Sequence, residues 1–189
     1  MPLLNILTFP DSMLREKCDP VEEIDNDLIQ LLDDMADTMY EAPGVGLAAP
    51  QVGYTKRVIV VDIKPRECAQ ESTEEEEILL PPDRSELIEL INPEIVFSDG
   101  EVTGEEGCLS IPGFVSDVKR KFEVTVEGYN RDGELLEIKC EDLLARVFQH
   151  EIDHLDGILF IDRLGRLKRE LLKKKIEKVL GKEEKYAVL

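Results

Sequence analysis

The sequence contains only two histidines, and this scarcity limits the metal chemistry available to the chain. Both lie in the motif QHEIDH at residues 149–154, which matches the general pattern HExxH. Enzymes of the metzincin type need a third histidine further along the chain, at the position that Phe160 occupies here. A three-histidine site is therefore excluded, and the third protein ligand must be a cysteine or a carboxylate.

Paired cysteines and long apolar runs are also missing. The four cysteines form no CxxC pair, which in a cytosolic protein argues against both a disulfide scaffold and a zinc ribbon. No apolar run approaches the ~20 residues that a membrane-spanning helix needs. The N-terminus also lacks the basic segment typical of a signal peptide. We therefore expect a cytoplasmic protein with no membrane partner.

Basic residues are scarce overall but concentrated near the C-terminus. The chain has 23 Lys and Arg residues against 42 Asp and Glu residues, a net charge of −19. Residues 163–185 contain ten basic and four acidic residues, which gives +6 and leaves −25 for the remainder. Because the body is strongly acidic, we expect no DNA partner, and the basic segment stands out as a separate feature.

Hydrophobic periodicity predicts three helices. The first begins behind Asp25 and Asp27 and ends at Pro43-Gly44. The second contains the QHEIDH motif, begins near Asp142 and ends at Gly157. The third is a basic amphipathic helix over residues 163–185. The residues of the second helix predicted to face the core are Leu143, Leu144, Val147, Phe148 and Leu155. The third helix has an apolar stripe made of Leu164, Leu167, Leu171, Leu172, Ile176, Val179 and Leu180.

The strand signals are short and follow one another in hairpin order. Residues 58–61 read as a buried strand, and residues 87–97 as one or two strands interrupted at Asn92-Pro93. Residues 122–129 and 135–140 alternate across a turn and predict a hairpin. Residues 62–86 form a polar acidic insert on the surface. We therefore predict a single α+β domain over residues 1–189, with antiparallel strands packed around the motif helix.

The spacing of the motif gives it a specific chemical capacity. Residues four apart lie on one face of a helix, so His150 and His154 can hold one metal ion while Glu151 handles protons. A solvated helix face that carries these residues by chance is the alternative.

Two further stretches have compositions that suit a site. Residues 44–53 are rich in glycine and alanine, which permits close approach of the backbone to a ligand, although a tight turn after the first helix would look the same. Residues 106–110 read EGCLS and place Cys108 directly after a glycine. Thiolate is a good ligand for zinc or ferrous iron, so Cys108 is our first choice for the third ligand.

Taken together, these three stretches resemble the peptide deformylase family. The family motifs are a GxGxAAxQ loop, an EGCxS loop and a QHExDH helix, which occur here in that order at residues 44–51, 106–110 and 149–154. The resemblance extends from about Leu3 to Arg163. It implies removal of the formyl group from the N-terminal formylmethionine of newly made polypeptides.

The resemblance also implies a set of residue roles. Cys108, His150 and His154 are the metal ligands, for Fe(II) in the cell, although zinc, nickel or cobalt can occupy such a site. Glu151 takes a proton from water and returns it to the departing amine. The side-chain amide of Gln51 and the backbone N–H of Leu109 donate to the formyl oxygen. Residues predicted to contact the substrate are Gly44, Val45, Gly46, Glu106, Gly107 and Phe148.

Other expectations concern the surroundings of these residues. We expect Arg120, with Lys119 as its competitor, to hold Glu106, and Asp153 to orient a histidine or cap a loop. Val147 and Ile111 lie close enough in sequence to join the methionine pocket, although either would suit the core equally. Many relatives have a basic residue where this chain has Gly113-Phe114-Val115, which leaves recognition of later peptide residues open.

The expected partners are a nascent formylmethionine polypeptide and, through the basic C-terminal helix, the ribosome. Two rival functions remain. A zinc endopeptidase would use the same glutamate, and a non-catalytic relative would keep the fold and bind nascent chains. The Gln51 loop and Cys108 favour removal of a formyl group over cleavage of an internal peptide bond.

Overall fold

The structure is a computed structural model that describes residues 3–64 and 84–186, with side chains described up to residue 179. The helices in these ranges are α1 (Asn26–Glu41), α2 (Asp142–Leu155) and α3 (Arg166–Tyr186). The strands are β1 (Gly46–Ala48), β2 (Val58–Val61), β3 (Ile88–Asp99), β4 (Val102–Glu106), β5 (Ser116–Arg120), β6 (Glu123–Tyr129) and β7 (Leu135–Glu141). This mixture of helices and antiparallel strands confirms the predicted α+β class.

Helix α1 begins and ends where its sequence signals predict. The side chain of Asp25 accepts a hydrogen bond of 2.8 Å from the N–H of Leu28, so Asp25 is the N-cap. Asp27 adds a negative charge to the first turn, where the helix dipole favours it. Its leucine and methionine face packs in one core cluster with Leu47, Val58 and Val60. The first helix thus lies against the start of the sheet.

The strands form two separate sheets within the described residues. Five antiparallel strands are ordered β1-β2-β3-β6-β7, and β4 pairs only with β5. Strand β3 runs through Asn92-Pro93 as one strand, because a register shift between Ile91 and Glu94 accommodates the break. The β6–β7 hairpin confirms the predicted one. Strands β1, β4 and β5 have too little apolar alternation to be predicted.

Helix α2 lies against the five-stranded sheet and contacts β1, β2, β3, β6 and β7. All of its residues from Ala145 to Leu155 are buried, including six polar ones. The prediction for Leu143 was wrong: it is 47% exposed, because it lines an open cavity instead of packing in the core. The remaining apolar residues of the predicted inward set are buried or half-buried.

Helix α3 is attached by fewer apolar contacts than its sequence predicts. It begins at Arg166, and Leu164 is buried just before it. Ile176 is buried and Leu172 half-buried, whereas Leu167 is 76% exposed and Leu171 56% exposed. The predicted stripe therefore packs along only part of its length.

Two further predictions concern the acidic insert and membrane-spanning helices. Most of the predicted insert, residues 65–83, lies outside the described residues. Within residues 3–64 and 84–186, no helix has the length and apolar character required to cross a bilayer.

Candidate metal centre and active site

Three predicted ligand residues come together although two separate elements carry them. Helix α2 supplies His150 and His154, and the turn after strand β4 supplies Cys108. The Sγ of Cys108 and the Nε2 of His154 lie 3.2 Å apart, and the Nε2 atoms of the two histidines also lie 3.2 Å apart. One ligand atom from each residue lies within 4.8 Å of the other two. No other group of three His, Cys, Asp or Glu side chains among the described residues meets this condition.

This arrangement fits a divalent metal ion. A tetrahedral ion with sulfur at about 2.3 Å and nitrogen at about 2.0 Å holds neighbouring ligand atoms roughly 3.3–3.6 Å apart, close to the observed separations. Burial lowers the pKa of His154 well below its usual value, and the nearby positive charges lower it further. This shift favours the neutral ring that metal binding requires.

The other ring nitrogen of His150 is held by Glu106. The Nδ1 of His150 lies 3.1 Å from Oε2 of Glu106, which leaves Nε2 directed at the other two ligands. Arg120 donates to both oxygens of Glu106, at 2.8 and 3.0 Å, as expected, whereas Lys119 is exposed and pairs with Glu101. Burial opposes the charge on Glu106, but hydrogen bonds from His150 and Arg120 outweigh it and lower its pKa to about 2.

Asp153 holds arginines rather than a histidine. Its carboxylate accepts hydrogen bonds from Arg120 and Arg163. The expectation that Asp153 orients a metal-binding histidine was therefore wrong, because both of its carboxylate oxygens accept from arginines instead. It supports the site indirectly, by fixing the arginine that holds Glu106.

Glu151 projects into the site from the same helix turn as His150. Its side chain is 4% exposed, and its Oε2 has no hydrogen-bond partner among the described residues. Burial raises the pKa of Glu151 to about 7, against the opposing charge of His150 and with a smaller contribution from Glu106. A Cβ at Gly46 would lie 2.5 Å from Oε1 of Glu151, so the loop needs glycine there to leave room for the carboxyl group. Such a carboxyl group suits proton transfer near neutral pH.

Gln51 places an amide N–H next to the ligand cluster. Its Oε1 accepts a 2.8 Å hydrogen bond from the N–H of Ala48, which fixes the amide so that Nε2 faces the Sγ of Cys108 at 3.5 Å. The same Nε2 donates to the hydroxyl of Ser110 at 3.2 Å. Among the described backbone hydrogen bonds, none uses the N–H of Leu109. The N–H of Leu109 thus has no backbone acceptor among the described residues, and the Gln51 amide N–H lies beside the ligands.

A cavity of about 490 Å³ opens onto these groups. The glycine-rich loop, the turn after β4 and one face of α2 form its walls. The predicted site residues that line it are Gly44, Val45, Gly46, Gln51, Glu106, Gly107, Cys108, Leu109, His150 and Glu151. Its apolar lining includes Val45, Ile111, Leu143 and Val147, next to Glu151.

Comparison with known proteins agrees with this geometry. The sequence profile of the family described as Polypeptide deformylase matches residues 3–170. The chain is 51% identical over 177 residues to a peptide deformylase from Thermodesulfovibrio yellowstonii, covering 94% of this chain and 98% of the relative. The chain belongs to the polypeptide deformylase family. It is a hydrolase that removes the formyl group from newly made polypeptides, and the family is metal-dependent.

Solved deformylase structures have the same fold. A crystal structure of a peptide deformylase from Legionella pneumophila is similar with a TM-score of 0.82 and 44% identity, covering 97% of this chain and 98% of that one. A peptide deformylase from Ehrlichia chaffeensis, solved in complex with actinonin, is similar with a TM-score of 0.79 and 36% identity, covering 94% and 98%.

One residue assigned to the deformylase substrate pocket lies elsewhere. Phe148 is fully buried in the core with Ile59 and Val124, because its side chain leaves α2 on the sheet side. Its assignment as a substrate contact was therefore wrong. Leu143 and Arg146, which line the cavity, were not predicted as site residues. The sequence pattern placed Leu143 in the core. For Arg146, the only sign in the sequence was its spacing, four residues before His150 and so on the same face of the helix.

Proposed function

We propose that deformylation takes place at the cluster of Cys108, His150 and His154, with one divalent metal ion bound by Sγ and the two Nε2 atoms. The convergence of these three ligand atoms, beside a cavity lined by Cys108, His150 and Glu151, supports this assignment most strongly. We propose Fe(II) as the ion in the cell, with zinc, nickel or cobalt able to replace it, because this ligand set suits several divalent ions. The reaction would take place in the cytoplasm, where polypeptides are made.

A bound ion would polarise the formyl carbonyl and make water available as a nucleophile near neutral pH. Glu151 accepts the proton of that water and later delivers it to the amine of the departing methionine. The amide of Gln51 and the N–H of Leu109 donate hydrogen bonds to the formyl oxygen as negative charge develops on it. One such donor contributes about 3 kcal/mol to lowering the barrier.

The apolar wall next to Glu151 is proposed to receive the methionine side chain. Val45, Ile111, Leu143 and Val147 supply this wall, while Gly44, Gly46 and Gly107 keep the backbone accessible to the peptide. Glu106 lines the cavity but already binds two arginines and His150, so we propose that it orients the histidine rather than the peptide. Beyond this wall, Phe114 and Val115 would favour apolar residues after the methionine.

The proposal is tested by metal analysis of protein purified without oxygen, together with turnover of formyl-Met-Ala-Ser and of an unblocked casein-type substrate. We expect one divalent ion per chain, release of formate from the formyl peptide and no cleavage of the unblocked protein. Cleavage of the unblocked protein would instead identify an endopeptidase. Folded, metal-loaded protein with neither activity would indicate a non-catalytic relative.

We propose further that helix α3 docks on the ribosome. Its outer face presents exposed Lys168, Lys174, Lys175 and Lys178 on a chain that is otherwise strongly acidic. Contacts between lysines and RNA phosphates would attract this face to rRNA and make binding fall steeply as salt rises.

Charge reversal tests the docking without removing the buried Ile176. Replacing Lys174, Lys175 and Lys178 by Glu should abolish co-sedimentation with ribosomes at low salt and leave turnover of formyl-Met-Ala-Ser unchanged. Replacing the exposed Lys139 by Glu, on strand β7, is the matched control on another surface. Equal co-sedimentation of the triple variant and the parent would refute the docking.

A further inference from the structure

The two elements that carry the metal ligands belong to different parts of the fold. His150 and His154 lie on α2, which packs on the five-stranded sheet, whereas Cys108 follows β4 in the separate β4–β5 hairpin. In the described residues, no strand of this hairpin pairs with the five-stranded sheet. Side-chain contacts can therefore contribute to the position of Cys108 relative to the histidines.

Arg146 makes contacts that bridge the two elements. It lies on α2 one turn before His150, and its side chain is buried. Its Nη1 donates to Oε1 of Glu106 at 2.8 Å and to the carbonyl oxygens of Gly104 and Val118 at 3.3 and 3.1 Å. Gly104 and Val118 are register partners in the hairpin. The guanidinium group of Arg146 thus binds both strands at one position.

The hairpin is built to receive this guanidinium group. A Cβ at Gly104 would lie 2.9 Å from Nη2 of Arg146 and 3.2 Å from its Cζ. Glycine weakens the interior of a strand and marks sites of close approach, so its presence in the middle of β4 is explained by the arginine. The guanidinium group of Arg146 thus fills the space that Gly104 leaves.

Arg146 also completes the hydrogen bonding of Glu106. Oε1 of Glu106 accepts from Arg120 and Arg146, while Oε2 accepts from Arg120 and lies 3.1 Å from Nδ1 of His150. A carboxylate has about four acceptor sites, and all four have partners here. The carboxylate therefore cannot rotate away from His150 without breaking bonds to two arginines.

We propose that Arg146 is a positioning residue that fixes the β4–β5 hairpin, and with it Cys108, against the helix that carries both histidines. Arg146 would act on metal retention and turnover through Glu106 and the hairpin, without touching the metal. This inference rests on the proposed metal site. Substitution of a residue that supports metal ligands in this way typically lowers metal affinity or activity about 10- to 100-fold.

The test measures the rate at which a chelator removes zinc from the loaded protein, beside kcat and KM for formyl-Met-Ala-Ser. Arg146→Met should lose zinc at least ~10-fold faster than the parent and show a lower kcat, with a smaller change in KM. Arg146→Lys should be intermediate, because lysine keeps the charge without the planar set of donors. Gly104→Ala should act in the same direction, because its Cβ displaces the guanidinium group while the charge remains.

Two controls separate this role from simpler ones. Lys119→Met removes an exposed charge from the same hairpin, and Thr103→Ala changes the exposed neighbour of Gly104; both should retain zinc as the parent does. A change in KM with an unchanged rate of zinc loss would show that Arg146 acts only as part of the substrate-pocket lining. A lower melting temperature of the metal-free protein alone would make its role structural. Either result overturns the proposal.

Circular dichroism establishes which variants are folded. If Arg146→Met does not fold, the rates of zinc loss from Arg146→Lys and Gly104→Ala test the proposal instead. Zinc loss at the parental rate in both variants would overturn it. The metal site is judged separately: a parent chain that binds no zinc would refute that site, whereas a zinc-binding parent with unaffected variants would refute only the role of Arg146.

Discussion

Helices α2 and α3 have similar patterns in the sequence but very different surroundings in the structure. From Ala145 to Leu155, every residue of α2 is buried, including His150, Glu151 and Asp153. Helix α3 exposes Leu167 and Leu171, which its pattern assigns to a buried stripe. Among the polar residues of α2, Gln149, His150 and Asp153 have partners from strands, loops or arginines, whereas few groups in the described chain cover α3.

This contrast shows which structural features an amphipathic pattern predicts and which it does not. A pattern identifies which side chains share a face, but the burial of that face depends on elements distant in sequence. Polar residues can be buried where partners meet their hydrogen-bonding needs, and apolar residues stay exposed where no surface is provided. Substitutions in the buried polar helix should therefore have much larger effects than substitutions on the exposed apolar face of α3.

Replacing one of the proposed metal ligands should have the largest effect. We expect Cys108→Ser or His154→Ala to lose bound metal and nearly all turnover, because each removes one of three protein ligands. Removing the metal from the parent with a chelator should abolish activity, and adding zinc or nickel should restore it. Metal content measured by mass spectrometry and formate release check this. Parental turnover in Cys108→Ser would refute the ligand assignment.

Glu151→Gln should separate chemistry from metal binding. Because Glu151 is not a ligand, we expect the variant to fold and retain metal while kcat falls about 100-fold or more, as for loss of a general acid and base. Metal content and kcat are measured on the same preparation. Near-normal turnover would show that another group moves the proton.

Gly46→Ala should displace Glu151 without changing its chemistry. The new Cβ would lie 2.5 Å from Oε1 of Glu151, so we expect the carboxyl group to move and kcat to fall about 10-fold with metal content unchanged. Gly165→Ala is the matched control, because a Cβ there meets no atom within 4 Å. The comparison fails if the two alanine variants have equal kcat values.

Leu167→Ser on α3 should have the smallest effect. Its side chain is exposed, so we expect the free energy of unfolding to change by no more than about 0.5 kcal/mol. Leu155→Ala on α2 provides the opposite case, because its side chain is fully buried and such truncations cost about 2–5 kcal/mol. Urea unfolding of both variants measures the difference. Similar losses would mean that the exposed part of α3 is covered in solution.

Local sequence signals predicted the parts of the fold that depend on local physics. The Asp25 cap, the α1 apolar face and the β6–β7 hairpin follow from spacing and turn chemistry within a few residues. The β4–β5 hairpin escaped because its strands are short and polar, and Leu143 and Leu167 were misplaced because burial depends on elements distant in sequence.

The site was predictable where motifs carry it and not where tertiary contacts build it. Three motifs placed Cys108, Gln51 and His150 through resemblance to a family, and the structure brings them together. Arg146 and the arginine partners of Asp153 could not be inferred, because nothing local shows which buried charge meets which. Phe148 was predicted both on the inward face of the helix and as a substrate contact, and it lies in the core, because nearness to the motif in sequence does not direct a side chain into the site.

An anomalous-diffraction map of zinc-loaded crystals would locate the bound metal ion. We predict one strong peak per chain, with Cys108 Sγ, His150 Nε2 and His154 Nε2 at bonding distance and Glu151 close by but not bound. A peak elsewhere in the chain, or zinc at this site without Cys108 among its ligands, would contradict this prediction.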